Sequence, residues 1–294
     1  MFQPLFYLQV SLAVFTLALV VTWIRFGRPA DEADRGPPTA VHLGLGFVIN
    51  FFDTLGIGSF APTTAAYRLL KLVPDERIPG TLNVGHTLPT IFQAFIYTKL
   101  VEVDFTTLAI LIVASVLGAF LGAGVVARWP RRRIQLGMGA ALLVAAVLFT
   151  LTNLGIVAGG GTALALTGSK LAIGAVGNFI LGALMTLGIG LYGPSLIMIS
   201  MLGMDPRVSF PIMMGSCAFL MVVAGIRFIR AGSYRQKAAL GLTLGGLPAV
   251  AIAAFIVKSL SLTSIRWLVA VVVLYTGLTM LWSAFRRSEP PVRA

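Results

Sequence analysis

The stretch TLGIGSFAP, residues 54–62, decides how this chain folds, because the chain contains it twice. Its second copy is TLGIGLYGP, residues 186–194, in which six of the nine positions are identical at an offset of 132 residues. Two prolines recur at the same offset, Pro74 as Pro206 and Pro79 as Pro211. At average proline usage each such coincidence has a chance of about one in twenty. The sequence therefore predicts an internal duplication, with a glycine-rich break followed by proline in each half.

Composition indicates a polytopic membrane protein. Of the 294 residues, 57% are hydrophobic and only 11% are charged, and the apolar runs repeatedly reach about 20 residues, the length that crosses a bilayer core. The first run, residues 4–23, is longer than the apolar core of a typical secretory signal, so we interpret it as a retained first helix. We expect an all-α polytopic membrane protein.

The charged and metal-binding residues argue against several other classes of protein. A net charge of +12 would suggest a nucleic-acid partner in a soluble protein, but here Lys and Arg lie in short loops between apolar runs, which indicates membrane topology. Cys217 is alone, so an intrachain disulfide or thiolate cluster is excluded, and His42 and His86 lack metal-ligand spacing. We therefore expect no nucleic acid, metal or cofactor. The chain also offers no zinc motif or catalytic triad, which argues against an enzyme.

The apolar runs divide the chain into two similar halves. After a polar, proline-containing linker, each half is predicted to hold one broken apolar segment followed by three helices. The predicted regions are an N-terminal helix and linker (1–40), repeat 1 (41–154), a glycine-rich connector (155–171), repeat 2 (172–286) and a cytoplasmic tail (287–294). The broken segments are predicted at 41–72 and 172–203, and the further helices near 80–98, 105–127, 133–153, 209–230, 237–257 and 264–285.

Lys and Arg positions predict how the broken segments cross the membrane. If both are re-entrant hairpins and the N-terminus is outside, all but five of the 22 basic residues lie on the cytoplasmic side. The five outside are Lys99, Lys170, Arg207, Lys258 and Arg266. If either or both segments span instead, the basic residues divide far more evenly, which fits the positive-inside bias less well.

This topology has a consequence for the duplication. Each repeat is one hairpin plus three spanning helices, so an odd number of crossings separates the copies and the repeats are inverted. Inverted repeats built around broken helices are typical of secondary transporters, whose substrate lies near the midplane where the breaks meet.

The residue types at the break favour a small anion. Gly56 and Gly58 permit a tight reversal and a close approach of backbone to a ligand, while Pro62 suits the first turn of the helix that follows. The exposed amides and dipole of that half-helix, and of its copy beginning near Pro194, would point positive partial charge into the membrane centre. The alternative is that these glycines only allow close helix packing.

Polar side chains near the breaks are the candidate ligands. The predicted substrate-binding residues are Gly56, Gly58, Ser59, Pro62, Thr63, Asn83, His86, Thr87, Gly188, Gly190, Tyr192, Pro194 and Ser195. Hydroxyl and amide groups in membranes often only join helices to one another, which is the alternative role for each. Ionisable groups there are functional hypotheses by default, so His86 and Asp53 are the candidates for a coupling proton. Asp53 could instead pair with His86 or orient the loop.

At these residues the chain resembles the TauE/SafE sulfite exporter family, also called the toluene sulfonate uptake permease family. The resemblance rests on the two Gly-Ile-Gly-x-x-x-Pro segments, 56–62 and 188–194, and covers about residues 41–286. It implies a transporter of the inner (plasma) membrane for small sulfur-containing anions such as sulfite, sulfoacetate or related organosulfonates, driven by an ion gradient. A homodimer is an expectation drawn from the habits of such transporters.

Two other functions remain open from the sequence. The protein could be a transporter or a passive channel for another small anion or metabolite, and Asp53 is the best argument for an uncharged or cationic substrate. The direction of transport and the coupling ion are not encoded in any motif of the chain.

Overall fold

The computed structural model describes residues 2–29, 31–122, 131–156, 161–185, 190–259 and 261–285. Within these ranges the chain is helical, and the bridge between Ala163 and Met204 is an isolated pair rather than part of a strand. The helices are α1 (Phe2–Phe26), α2 (Ala40–Thr54), α3 (Phe60–Leu69), α4 (Ile78–Gly85), α5 (Thr87–Leu100), α6 (Phe105–Leu117), α7 (Arg131–Asn153), α8 (Gly168–Met185), α9 (Tyr192–Met201), α10 (Ser209–Ala231), α11 (Gln236–Ser259) and α12 (Leu262–Phe285). A π-helical turn, Gly118–Gly122, continues α6.

Four helical stretches of the described residues are long and apolar enough to cross a bilayer: Pro4–Phe26, Gly168–Met185, Pro206–Ala231 and Gln236–Ile256. The prediction of an all-α polytopic membrane protein is thereby confirmed. The stretch that contains α10 is 72% buried, the largest share of the four, so α10 is the central helix. It packs against α1, where the Phe15 and Phe219 rings meet edge to face with centroids 5.1 Å apart, and against α4, α5 and α6.

One predicted helix is divided by its own sequence. The segment expected near 80–98 forms α4 and α5, with His86 at the junction between them. Pro89 has no N–H to donate to the carbonyl of Gly85, four residues earlier. That carbonyl instead accepts a hydrogen bond from Thr243 Oγ1 of α11, at 2.8 Å. The proline therefore interrupts the helix, and a hydroxyl from the other half of the chain satisfies the freed backbone group.

The first broken segment doubles back on itself beside α11. α2 begins next to the start of α11, where His42 packs against Gly241. α3 ends at the same place, because the hydroxyl of Tyr67 donates to the carbonyl of Ala238 at 3.5 Å. α2 and α3 therefore enter and leave on the same side of the molecule.

The second broken segment follows an equivalent course beside α6. Asn178 of α8 donates to the carbonyl of Leu111 in α6 at 2.9 Å. Leu202, which follows α9, lies against Gly174 near the start of α8. At the 132-residue offset α8 corresponds to α2 and α6 corresponds to α11. Each broken segment thus packs on a helix from the other half of the chain.

Corresponding helices of the two halves pack against one another in antiparallel order. α7 pairs with α12, and α4 with α5 pairs with α10. The contacts that give this order are Gly139 with Leu281 and Leu142 with Gly277 in the first pair, and Asn83 with Gly225 and Tyr97 with Phe210 in the second.

The polar linker after α1 is bound to the start of α11. Asp34, in a 3-10 turn spanning Glu32–Asp34, accepts hydrogen bonds at 2.9 Å from the backbone amides of Gln236 and Lys237. These are orphan amides of a helix N-terminus, so Asp34 serves as their cap. The hydrogen bond from Arg235 lowers the pKa of the neighbouring Asp31 carboxyl below its ordinary value of 3.8. The linker is therefore an ordered strap between α1 and α11.

Candidate functional site

The first break, residues 55–59, is a backbone reversal that needs glycine. Gly56 has a φ of +98° and Gly58 a φ of +88°, both in the region that residues with a side chain rarely adopt. α3 begins at Phe60, and Pro62 lies in its first turn, as the sequence predicted. The earliest helical hydrogen bond of α3 runs from the amide of Thr63 to the carbonyl of Ser59, at 3.1 Å. The amides before Pro62 therefore have no helical acceptor and face the break.

The second break, residues 186–191, is described only from Gly190 onward, so the predicted role of Gly188 lies outside the described residues. α9 begins at Tyr192, 132 residues after Phe60, and Pro194 again lies in the first turn. A side-chain Cβ at Gly190 would meet open space.

The two breaks lie against each other. A Cβ built at Gly58 would be 4.0 Å from the Cβ of Tyr192. The hydroxyl of Tyr192 reaches further into the first half and donates to Gln93 Oε1 of α5, at 2.9 Å. The first break thus lies against the first residue of α9, the buried Tyr192.

Asp53 forms a hydrogen-bonded chain that joins the two halves. Gln93 Nε2 donates to Asp53 Oδ2 at 2.9 Å and to Thr54 Oγ1 at 3.0 Å, while its Oε1 accepts from Tyr192. Ser59 adds hydrogen bonds to the Asp53 carboxylate through its backbone amide and its hydroxyl. Asp53 is 1% exposed, so its charge is held by these donors rather than by water. The carboxylate therefore lies at the N-terminus of α3.

His86 forms a second cluster on the other side of α3. Its Nδ1 is 2.9 Å from Asn50 Oδ1, and its Nε2 is 2.9 Å from Thr63 Oγ1. The ring is fully buried, with its centroid 6.4 Å from that of Phe60. Both ring nitrogens are bonded to these groups, so the structure does not form the Asp53–His86 pair that the sequence left open.

Not every predicted ligand reaches a break. Asn83 Nδ2 donates to the carbonyl of Pro79 at 2.9 Å, and the Thr87 hydroxyl donates to the carbonyl of Asn83, so both side chains are bonded to α4 backbone four residues earlier. Ser195, which corresponds to Thr63, donates through Oγ to Asn178 Oδ1 at 3.4 Å. At the repeat offset His86 corresponds to Ala218 and Asp53 to Met185, so the imidazole and the carboxylate of the two clusters come from the first half.

The predicted set of binding residues omitted several groups that hold this site together. Gln93 and Asn50 are the partners of Asp53 and His86, and Tyr97 donates to the carbonyl of Thr54 at 3.0 Å. The available signal was helical spacing, because residues 86, 90, 93 and 97 share one face of a helix by the three- and four-residue rule. That face points at the break.

Two shallow cavities among the described residues lie away from the breaks. One of about 360 Å³ is lined by Ala109, Ile110, Val113, Ala114 and Leu117, and one of about 220 Å³ by Ala146, Val147, Thr150, Leu151 and Leu274. Both are open, apolar surfaces of the type that faces lipid acyl chains. Of the described break residues, Gly56 and Ser59 are buried, whereas Ile57, Gly58 and Gly190 are partly exposed.

Comparison with known proteins gives one match. The sequence model described as "Sulfite exporter TauE/SafE" matches residues 2–149, half of the chain. The chain belongs to the TauE/SafE sulfite exporter family. The TauE/SafE match includes α1 and the first break and stops within α7, whereas the resemblance seen in the sequence covered about residues 41–286. No curated protein and no solved structure matches the chain. Membership of the TauE/SafE family makes this protein a membrane transporter rather than an enzyme.

Proposed function

We propose that this TauE/SafE protein is a secondary transporter that moves a small sulfur-containing anion, such as sulfite, sulfoacetate or a related organosulfonate, across the inner membrane. The observation that carries the proposal is the approach of the first break, at Gly58, to the first residue of α9, Tyr192. The N-termini of two half-helices near one point supply backbone amides and the positive ends of two helix dipoles, an arrangement that favours negative charge. The substrate is held between these two broken helices.

The transport cycle follows from inverted repeats that move about the site. The antiparallel packing of α7 with α12, and of α4 and α5 with α10, supports an inverted relation between the halves. The end of α3, the start of α4 and the polar linker all bond to the start of α11 or to the residue just before it, which supports a common side for the basic loops around Arg68, Arg77 and Arg235. By the positive-inside bias this side is cytoplasmic, with the N-terminus outside and the C-terminus inside. Coupling to an ion gradient completes the proposal.

Transport in proteoliposomes tests the proposal. We expect saturable uptake of sulfite that responds to an imposed ion gradient, with competition by sulfoacetate or methanesulfonate and none by inorganic cations. Thermal unfolding provides the binding measurement, because a ligand at 100 times its Kd stabilises the folded state by about 2.7 kcal/mol. Uptake that never saturates would indicate a channel instead. Thermal shifts with cations or neutral solutes alone would reject the anion site.

A matched pair of leucine substitutions tests the location of the site. Gly58→Leu places a side chain in the 4.0 Å gap against Tyr192, so we expect sulfite uptake to fall more than tenfold. Gly44→Leu adds the same side chain to an exposed position of α2 with open space around it, and uptake should be unchanged. Size-exclusion chromatography checks that both variants are folded. Normal uptake by folded Gly58→Leu protein would contradict the proposed location.

A further inference from the structure

Asn50 fixes the proton on one nitrogen of His86. Asn50 Nδ2 donates to the carbonyl of Gly46 at 2.7 Å and to the carbonyl of Leu242 at 3.3 Å. The amide group is therefore oriented with its oxygen toward His86, and an oxygen without a hydrogen can only accept. His86 Nδ1 accordingly carries a hydrogen and donates it to Asn50. The carbonyls that orient Asn50 come from α2 and α11, so the arrangement is held from two helices.

Thr63 leaves the other nitrogen free to take either protonation state. Its hydroxyl oxygen is 2.9 Å from His86 Nε2 and 2.6 Å from the carbonyl oxygen of Ser59. When Nε2 has no hydrogen, the Thr63 hydroxyl donates to it. When Nε2 is protonated, it donates to Thr63 Oγ1, and the hydroxyl hydrogen turns to the Ser59 carbonyl. Both states are fully hydrogen-bonded, and they interconvert when Nε2 gains or loses one proton and the Thr63 hydroxyl rotates, without movement of any heavy atom.

A charge on this ring must be balanced nearby. A buried, unpaired charge costs several kcal/mol, and His86 is fully buried. The groups that contact its ring nitrogens, Asn50 and Thr63, are neutral. The titratable residues on the helices of the two breaks and on α5 and α10 include Asp53, Tyr67, Tyr97, Tyr192 and Cys217. Of these five only Asp53 is a carboxyl group, and it is already bonded to Gln93 and Ser59. The opposite charge can be supplied by an anion at the first turn of α3, the turn that contains Thr63.

We propose that the Asn50–His86–Thr63 cluster is a proton-binding site that is filled together with the transported anion. The anion half of this inference rests on the proposed function, whereas the proton site itself rests on the hydrogen bonds alone. Because linkage is reciprocal, the anion favours protonated His86 and protonated His86 favours the anion by the same factor. The protein then carries a proton with each anion.

Nuclear magnetic resonance of ¹⁵N-histidine-labelled protein in nanodiscs tests the proposal directly. The chain has two histidines, so the His42→Gln variant leaves His86 as the single labelled signal. At neutral pH without anion we expect the neutral tautomer with hydrogen on Nδ1. As the pH is lowered toward 4.5 the doubly protonated signal should appear. Saturating sulfite or methanesulfonate should raise its fraction at a fixed pH about tenfold, and chloride should not. Methanesulfonate keeps one charge over this range, so it separates protonation of His86 from protonation of the probe.

Substitutions of Thr63 test whether its hydroxyl allows His86 to take both protonation states. Thr63→Val keeps the shape but removes both hydrogen-bond roles, so the doubly protonated fraction at a fixed pH should fall about tenfold. Thr63→Ser keeps the hydroxyl and should behave as the unmodified protein.

A neutral tautomer with hydrogen on Nε2 would overturn the proposal, as would a ring that never becomes doubly protonated. In samples whose thermal shift proves that an anion binds, the doubly protonated fraction of His86 should change. If neither anion changes that fraction, the proposal that the proton and the anion bind together is overturned. Absence of any thermal shift would instead count against the proposed function, and the tautomer and Thr63 results would still decide the proton site.

Discussion

At the scale of single residues, Asp53 is the group that most affects what the site can bind. Its carboxylate accepts hydrogen bonds from Gln93 and Ser59 and so lies at the same half-helix N-terminus that we propose for the substrate. An anion approaching α3 therefore meets a negative charge already held by the protein. Asp53 limits the affinity of an anion site, whereas it would strengthen a cation site.

The substitution Asp53→Asn separates these two cases. It keeps a side-chain oxygen that can accept from Gln93, but it removes the charge. Two unit charges about 10 Å apart interact by about 1.7 kcal/mol at an effective dielectric constant of 20, so the affinity for sulfite should rise about tenfold. Binding can be measured by titration in the thermal-unfolding assay. Asp75→Asn is the control, since Asp75 forms an exposed ion pair with Arg68 away from the breaks. Loss of sulfite binding in Asp53→Asn would favour a site that needs the carboxylate, such as one for a cation.

The sequence predicted some residues of the site better than others, for physical reasons. Gly56 and Gly58 were recognisable because their backbone conformation can be adopted easily by glycine only. Asn83 and Thr87 were placed on the correct helix, but their side chains bond to carbonyls four residues earlier, a competing option that spacing along a helix does not reveal. The bond between Gln93 and Tyr192 joins residues 99 positions apart, and no local pattern encodes it.

At the scale of helices and loops, contacts at the ends of helices determine where a helix begins and where it stops. The predicted helix near 80–98 is interrupted because Pro89 frees the carbonyl of Gly85, and the hydroxyl that bonds this carbonyl comes from Thr243. The proline was visible in the sequence, but the helix break depends on a partner 158 positions away. The interruption places His86 between two short helices, where both ring nitrogens can reach neighbouring elements.

The linker provides a test at this scale. Asp34 caps α11 through the amides of Gln236 and Lys237, so Asp34→Ala should destabilise the protein by about 1 kcal/mol, up to about 2. For a chain of this size we expect the midpoint of thermal unfolding to fall by about 2–4 °C per kcal/mol. Glu32→Ala removes an exposed acidic residue from the same turn and should have little effect. Equal stability of Asp34→Ala and Glu32→Ala would show that the cap contributes nothing.

At the scale of the whole molecule, the broken segment of each half packs on a helix of the other half. α2 of the first half lies on α11 of the second, and α8 of the second lies on α6 of the first. Glycines permit this close approach, since a side chain at Gly46 would overlap the carbonyl of Gly241 and one at Gly182 would overlap that of Ser115. The duplication predicted that the halves resemble each other, but not that each broken segment is supported by the opposite half.

Dividing the chain between the halves tests this arrangement. Fragments 1–158 and 159–294, expressed together, should copurify through a tag on either one. Expressed alone, each should be recovered mainly as aggregate, because its broken segment lacks the helix on which it packs. Fluorescence-detected size-exclusion chromatography distinguishes these results, and coexpression of each fragment with an unrelated membrane protein is the control. A monodisperse, heat-stable first fragment on its own would contradict the mutual dependence.

The pairing of α2 with α11 also sets an order of events during synthesis. The hydrogen bond from Asn50 to Leu242 spans 192 positions of the chain. At roughly 5–20 residues per second, the ribosome completes α11 about 10 to 40 s after α2. Throughout this interval Asn50 lacks its distant carbonyl partner and Gly46 lacks the helix that covers it. The first half therefore remains incompletely packed in the membrane until α11 has been made. During that time the insertion machinery must protect it from wrong contacts.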